Sequence, residues 1–234
     1  MKNFFDIDNP IMQFLSKIAD LVILNVITMI CCIPIITVGA SLSGMSYVLL
    51  RMARNEECYV VKPFFKAFKD NFKQATALWL IILAIIGVLA IDFWALRGAE
   101  GGITGIVMMG LLAIVVLFFM AFQYVFPLQA RFENTVINTL KNSFLMMMFN
   151  LPKSVLMLFV WAVPVIINFT IPTLLPVLFL IGISGPSFVC ALLYDKAFRK
   201  LEPEIKVEHE DEGNWEEMEA RVEREKELEA RRNQ

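Results

Sequence analysis

Between Ala19 and Leu50 the chain runs for 32 residues with a single charge, Asp20. A helix crosses the hydrocarbon core of a bilayer in about 20 residues. The run is therefore too long for one straight crossing and slightly short for two. Pro34 and Gly39 stand near its middle. Proline removes a backbone donor and glycine tolerates conformations closed to other residues, so this is where the chain is expected to turn. Two helices at roughly 12–32 and 37–55, joined by a tight apolar turn at 33–36 and capped at Thr37, satisfy the length. One strongly tilted span is the alternative. Small residues at Gly39, Ser43, Gly44 and Ser46 would let the second helix approach a neighbour closely.

The rest of the chain repeats this alternation of apolar run and charged connection. Residues 51–73 carry Arg51, Arg54, Lys62, Lys66, Lys69 and Lys73 and form the densest basic stretch between apolar runs. Basic loops stay on the cytoplasmic side. Spans are expected at 74–96, 103–127, 154–172 and 175–194, with Arg131, Lys141 and Lys153, and then Lys196, Arg199 and Lys200, on the inner side. The chain is thus read as all-α, a polytopic transmembrane bundle of six helices with both termini cytoplasmic. If 19–50 makes one span, the count is five and the N-terminus lies outside. Residues 4–18 place Phe4, Ile7, Ile11, Phe14, Leu15 and Ile18 at helical spacing. They form either an interfacial helix or the start of the first span. Residues 1–17 hold Asp6, Asp8, Asn9 and Pro10, unlike a cleavable signal, so the first apolar segment is expected to remain.

Charge divides the chain further. Residues 1–200 hold 15 Lys and Arg against 10 Asp and Glu, net +5, whereas 201–234 hold 6 against 13, net −7. The expected organisation is a membrane domain, 1–200, and an acidic cytoplasmic tail, 201–234, helical from about residue 214. The membrane domain needs amphipathic cytoplasmic helices. In the first, Phe65, Phe68 and Phe72 interleave with Lys62, Lys66, Lys69 and Lys73, a pattern suited to an anionic lipid surface or a protein partner. The flanking spans explain these residues better than nucleic acid does.

Chemistry-bearing motifs are missing. The sequence has no Gly-x-x-x-x-Gly-Lys-Ser/Thr, Gly-x-Ser-x-Gly or His-Glu-x-x-His, and its one histidine, His209, lies in the tail. Cys31, Cys32, Cys58 and Cys190 lack metal-ligand spacing. No enzyme activity, cofactor or metal is expected. Charges inside spans are the next candidates. Asp92 stands near the end of its span, within expected reach of Arg97, and Asp20 is expected to meet Arg51 or Arg54 across the first hairpin. Asn25, Thr28, Gln123, Asn168 and Thr170 are expected to make interhelical hydrogen bonds. Prolines at 34, 127, 164, 172, 176 and 186 are expected helix breaks. Two echoes hint at internal repetition: Gly39-x-Ser41 with Gly182-x-Ser184, and Phe68-Lys-Asp-Asn-Phe72 with Leu140-Lys-Asn-Ser-Phe144.

Three segments carry a family resemblance: Phe4-Phe-Asp-Ile-Asp-Asn-Pro10, Pro34-Ile-Ile-Thr-Val-Gly-Ala-Ser41 and Phe65-Lys-Ala-Phe-Lys-Asp-Asn-Phe72. Over residues 1–200 the chain resembles the YesL-like family of bacterial membrane proteins. The family has no established activity. It is similar to proteins encoded beside carbohydrate ABC importers in Gram-positive bacteria, which implies an accessory role in sugar uptake in the cytoplasmic membrane. Glu133-Asn-Thr leading to Leu151-Pro152 is similar in spacing to the loop by which importer permeases meet their ATPase, without its alanines and glycine. The expected function is thus an accessory or regulatory membrane protein of a carbohydrate importer. Its partners would be lipid and the importer's permease and ATPase, met through Lys62–Lys73 and Glu133. The alternative is a transporter component forming a small-solute path. A homo-oligomer is left open.

Overall fold

A computed structural model of the protein describes residues 10–56, 59–97, 102–132, 134–171, 173 and 175–201. The chain divides into two units, Met1–Ala197 and Phe198–Gln234. The contacts below lie within the first. The acidic tail, with its expected helix, lies outside the described residues, as do Cys58 and Glu133.

The described residues form helices and no strand. In order they are α1 (Pro10–Cys31), α2 (Val38–Ala53), α3 (Val61–Asp70), α4 (Phe72–Leu96), α5 (Gly102–Arg131), α6 (Val136–Phe149), α7 (Leu151–Thr170), α8 (Leu175–Ile181) and α9 (Ser184–Leu201), with one 3₁₀ turn at Ile35–Thr37. Five stretches are long and apolar enough to cross a membrane: Phe14–Cys31, Ile35–Ala53, Phe72–Leu96, Thr104–Arg131 and Leu151–Thr170. The protein is an all-α polytopic membrane bundle.

The run 19–50 splits into two helices. Its turn is held by side chains rather than by apolar packing, since Ile33, Ile35 and Ile36 are exposed. The Thr37 hydroxyl does not cap α2. It turns back toward the carbonyls of Cys31 (2.6 Å) and Pro34 (2.8 Å). The Trp79 indole N–H donates to the Ile35 carbonyl at 2.8 Å and ties the turn to α4. From Pro10 onward α1 is one unbroken helix of 22 residues. No separate interfacial helix forms within 10–18, because Pro10 sits in the first turn, where its missing N–H costs nothing.

The small residues of α2 act at two different contacts. A Cβ on Gly39 would run into the Ala75 carbonyl and come within 2.7 Å of Trp79 Cβ, so this glycine sets the approach of α4. A Cβ on Gly44 would meet the Phe64 carbonyl at 3.0 Å, so α3 also lies close, though less tightly, five residues later. At its end α2 closes in a Schellman motif: Glu56 N–H reaches the Arg51 carbonyl and Asn55 N–H the Met52 carbonyl. That geometry requires a left-handed residue, and Asn55 supplies it at φ 57°. The same face of α4 packs Leu78 and Ile82 on Val125 and Phe126 of α5, with Leu42 of α2 and Trp79 against them.

Two expectations about helix breaks need correction. Pro127 and Pro164 lie inside continuous α5 and α7. Proline need not end a membrane helix, because neighbouring helices can re-satisfy the freed groups. The expected single span 175–194, in contrast, is two pieces, α8 of 7 residues and α9 of 18. They part at Gly182 and Ile183.

Candidate functional site

Breaking a helix at membrane depth strands backbone groups where lipid offers no hydrogen bond. Here Asn25 of α1, fully buried, answers that need. Its Oδ1 accepts from the N–H groups of Ile183 (3.3 Å) and Ser184 (2.9 Å), and its Nδ2 donates to the Phe179 carbonyl at 2.8 Å. The Ser184 hydroxyl returns a bond to the Leu21 carbonyl at 2.9 Å. One amide thus bridges both halves of the break, because it carries donor and acceptor on the same side chain. Of the polar neutral residues expected to bond between helices, Asn25 does so. Thr28 and Thr170 donate to carbonyls of their own helices, at Leu24 and Ile166. Asn168 is exposed. Both amide atoms of Gln123 are buried without a partner.

The ion pairs differ from those expected. Arg54 Nε donates to Asp195 Oδ1 at 2.7 Å, joining the end of α2 to α9, with side chains 10% and 9% exposed. Arg51 pairs with Glu56 at 2.8 Å, within the turn after α2. Asp20 meets neither arginine. Charge-assisted bonds are strongest where water is excluded, and Asp195 offers Arg54 such a place. Asp92 and Arg97 are exposed on α4 and form no pair with each other. Five residues at 3.6 per turn leave two side chains about 140° apart around the helix, whereas spacings of three or four bring them together.

At the basic end of the bundle α3 presents its two faces as its spacing predicts. Phe64 and Ala67 are buried. Lys62, Phe65, Lys66 and Lys69 are exposed, as are Phe72 and Lys73 at the start of α4, with Phe68 half-buried between them. The rings of Phe64, Phe68 and Phe72 stand in sequence, with centroids 6.2 and 5.6 Å apart. Beside them opens a groove of about 1170 Å³, flanked by Lys66, Lys69 and Lys73 on one side and Arg131, Asn134 and Thr135 on the other. Its floor is fixed by Gln129, 3% exposed. Gln129 donates to Gln74 and accepts from the Thr139 hydroxyl at 3.1 Å, linking α4, α5 and α6. Of the expected contact residues, Lys66, Lys69, Phe72 and Lys73 line this groove and Lys62, Phe65 and Phe68 do not; Asn134 and Thr135 line it from the start of the second expected segment, 133–153, whose Glu133 lies outside the described residues. Leu151-Pro152 opens α7, one helix further on.

Sequence reasoning missed Asp195, although an acid among Lys196, Arg199 and Lys200 was a visible anomaly. It also missed the break at Gly182–Ile183. Among the described residues no group of three His, Cys, Asp or Glu side chains gathers to hold a metal. Cys31, Cys32 and Cys190 are free thiols.

Residues 21–93, which run from α1 through most of α4, match a family described as a protein of unknown function, DUF624. No curated protein and no solved structure matches the chain.

Proposed function

We propose that the protein is a non-catalytic accessory or regulatory subunit of the cytoplasmic membrane, docking onto a carbohydrate ABC importer through the groove between α3–α4 and the α5–α6 connection. The carrying observation is that groove: lysines of α3 and α4 and exposed Phe72 stand beside the α5–α6 connection, with Gln129 hydrogen-bonded among them. Exposed aromatic side chains and arginine are enriched at protein contact surfaces, and the groove offers Phe72, Phe132 and Arg131. The sugar-importer partner comes from the YesL-like resemblance. The positive charge favours placing the groove in the cytosol, where the importer's ATPase lies.

Mild-detergent affinity purification from a host grown on an inducing glycan tests this reading, with partners identified by mass spectrometry. Importer permease and ATPase should co-purify in stoichiometric amounts, and the triple variant Lys66→Glu/Lys69→Glu/Lys73→Glu should lose them while remaining in the membrane. Recovery of the protein alone, with the importer intact in the same extract, would overturn the proposal. The alternative of a small-solute path draws less support, because the cavity between α2, α5, α7 and α9 is walled mostly by carbon.

A further inference from the structure

Three helices of the bundle share a motif. Ser43-Gly-Met-Ser46-Tyr47-Val48 in α2 matches Ser184-Gly-Pro-Ser187-Phe188-Val189 in α9, and Gln123-Tyr124-Val125 in α5 falls in the same frame. Seven residues after each aromatic stand Arg54, Arg131 and Asp195. The Arg54–Asp195 pair therefore joins equivalent positions.

The residue before each aromatic is Ser46, Gln123 or Ser187, and all three line one cavity of about 200 Å³. The wall repeats as well: Leu42 and Met45 precede Ser46 by four and one residues, as Phe119 and Phe122 precede Gln123. Phe126 and Pro127 of α5, Trp161 of α7, and Cys190 and Tyr194 of α9 also line it. A void built from equivalent positions of repeated helices is a feature of the architecture rather than a chance packing fault.

Its chemistry is specific. No charged side chain lines it, so an occupant must be neutral. The Gln123 amide N and O are both buried and unpartnered. Proline at 127 also removes the N–H that would normally serve the Gln123 carbonyl four residues earlier. The Ser46 hydroxyl already donates to the Leu42 carbonyl, at 2.7 Å, and is left to accept. Orphaned polar groups in carbon surroundings are costly and call for a partner. A hydroxyl is the smallest group that both accepts from the amide N–H and donates to the amide oxygen. The rest of the wall is mostly carbon, which suits a hydrocarbon body better than a sugar with its many hydroxyls. The space somewhat exceeds the roughly 150 Å³ that admits benzene, enough for a short hydrocarbon body.

We propose that this cavity binds the hydroxyl end of a neutral, mainly hydrocarbon molecule drawn from the bilayer, with Gln123 as its recognition residue. The test uses the full chain in lipid nanodiscs and a diazirine-bearing octanol as photoprobe, with labelled residues mapped by mass spectrometry. Labelling should saturate and concentrate in 119–127 and 187–194. 1-Octanol should compete at least tenfold better than octane. Gln123→Leu should weaken alcohol competition at least fivefold while leaving octane competition unchanged. Non-saturating labelling, equal competition by octane, or wild-type behaviour of Gln123→Leu would overturn the proposal. So would a cavity that holds water alone and excludes the probe. Should Gln123→Leu fail to fold, the octanol-against-octane comparison on the wild-type protein decides.

Discussion

Helices α2 and α4 lie against each other, yet they are built on opposite principles. The stretch Ile35–Ala53 is the less hydrophobic of the two and is 61% buried, whereas Phe72–Leu96 is more hydrophobic and 11% buried. In water that order would be inverted. In a bilayer, lipid tails are as apolar as leucine, so hydrophobicity gives no reason to face protein rather than lipid. What favours the interior is close backbone approach and hydrogen bonding. Helix α2 carries Gly39, Ser41, Ser43, Gly44 and Ser46, all buried. Helix α4 turns Ile91 and Trp94 outward, 66% and 79% exposed. The lesson is that small and polar residues draw a helix into this bundle, where they sit among large apolar ones such as Leu49 and Phe64, whereas a face of large apolar residues alone can be left to lipid.

Substitutions can break that contrast. The largest effect is expected at Gly39→Leu, which drives a side chain into the Ala75 backbone. The loss should reach or exceed the roughly 3 kcal/mol upper end for overpacking, read as loss of the monodisperse peak on size-exclusion chromatography. Gly87→Leu in α4 meets nothing within 4 Å and should behave as wild type. Of comparable size is Arg54→Ala, which takes the guanidinium away from the buried Asp195 carboxylate. About 3–5 kcal/mol is expected for breaking such a pair, and Arg54→Ala/Asp195→Ala together should cost less than the two single changes summed, in thermal unfolding of the detergent-solubilised protein. Asn25→Leu removes three bonds that span the α8–α9 break. At roughly 0.6 kcal/mol per interhelical bond in a membrane, the loss is about 2 kcal/mol, with faster proteolysis near Gly182 as a second readout. The smallest effect has the opposite sign. Gln123→Leu replaces an orphaned amide with carbon and should raise the melting temperature of the ligand-free protein, by about 1 kcal/mol in stability.

Much of the bundle was legible because membrane length and basic connections are local signals. The split at 33–36 and the two-faced α3 follow from composition and spacing within a few residues. Long-range pairings carry no such trace. Arg54 and Asp195 are 141 residues apart, and Asp20 looked the nearer partner. The α8–α9 break is hidden because both halves are apolar and its chief signal, Gly182, is common in membrane helices. The repeat was partly visible. The echo of Gly39-x-Ser41 in Gly182-x-Ser184 is two positions out of the frame in which Ser43-Gly44 aligns with Ser184-Gly185 and the cavity positions coincide. The Asp92–Arg97 pairing could have been rejected on helix geometry alone.

A leucine scan along all of α2 and α4, read as thermal stability in one detergent, tests the contrast most directly. The account predicts deep losses at 39, 43 and 44 in α2 and a nearly flat profile from 83 to 96 in α4. Comparable losses along both helices, or a flat α2, would contradict it.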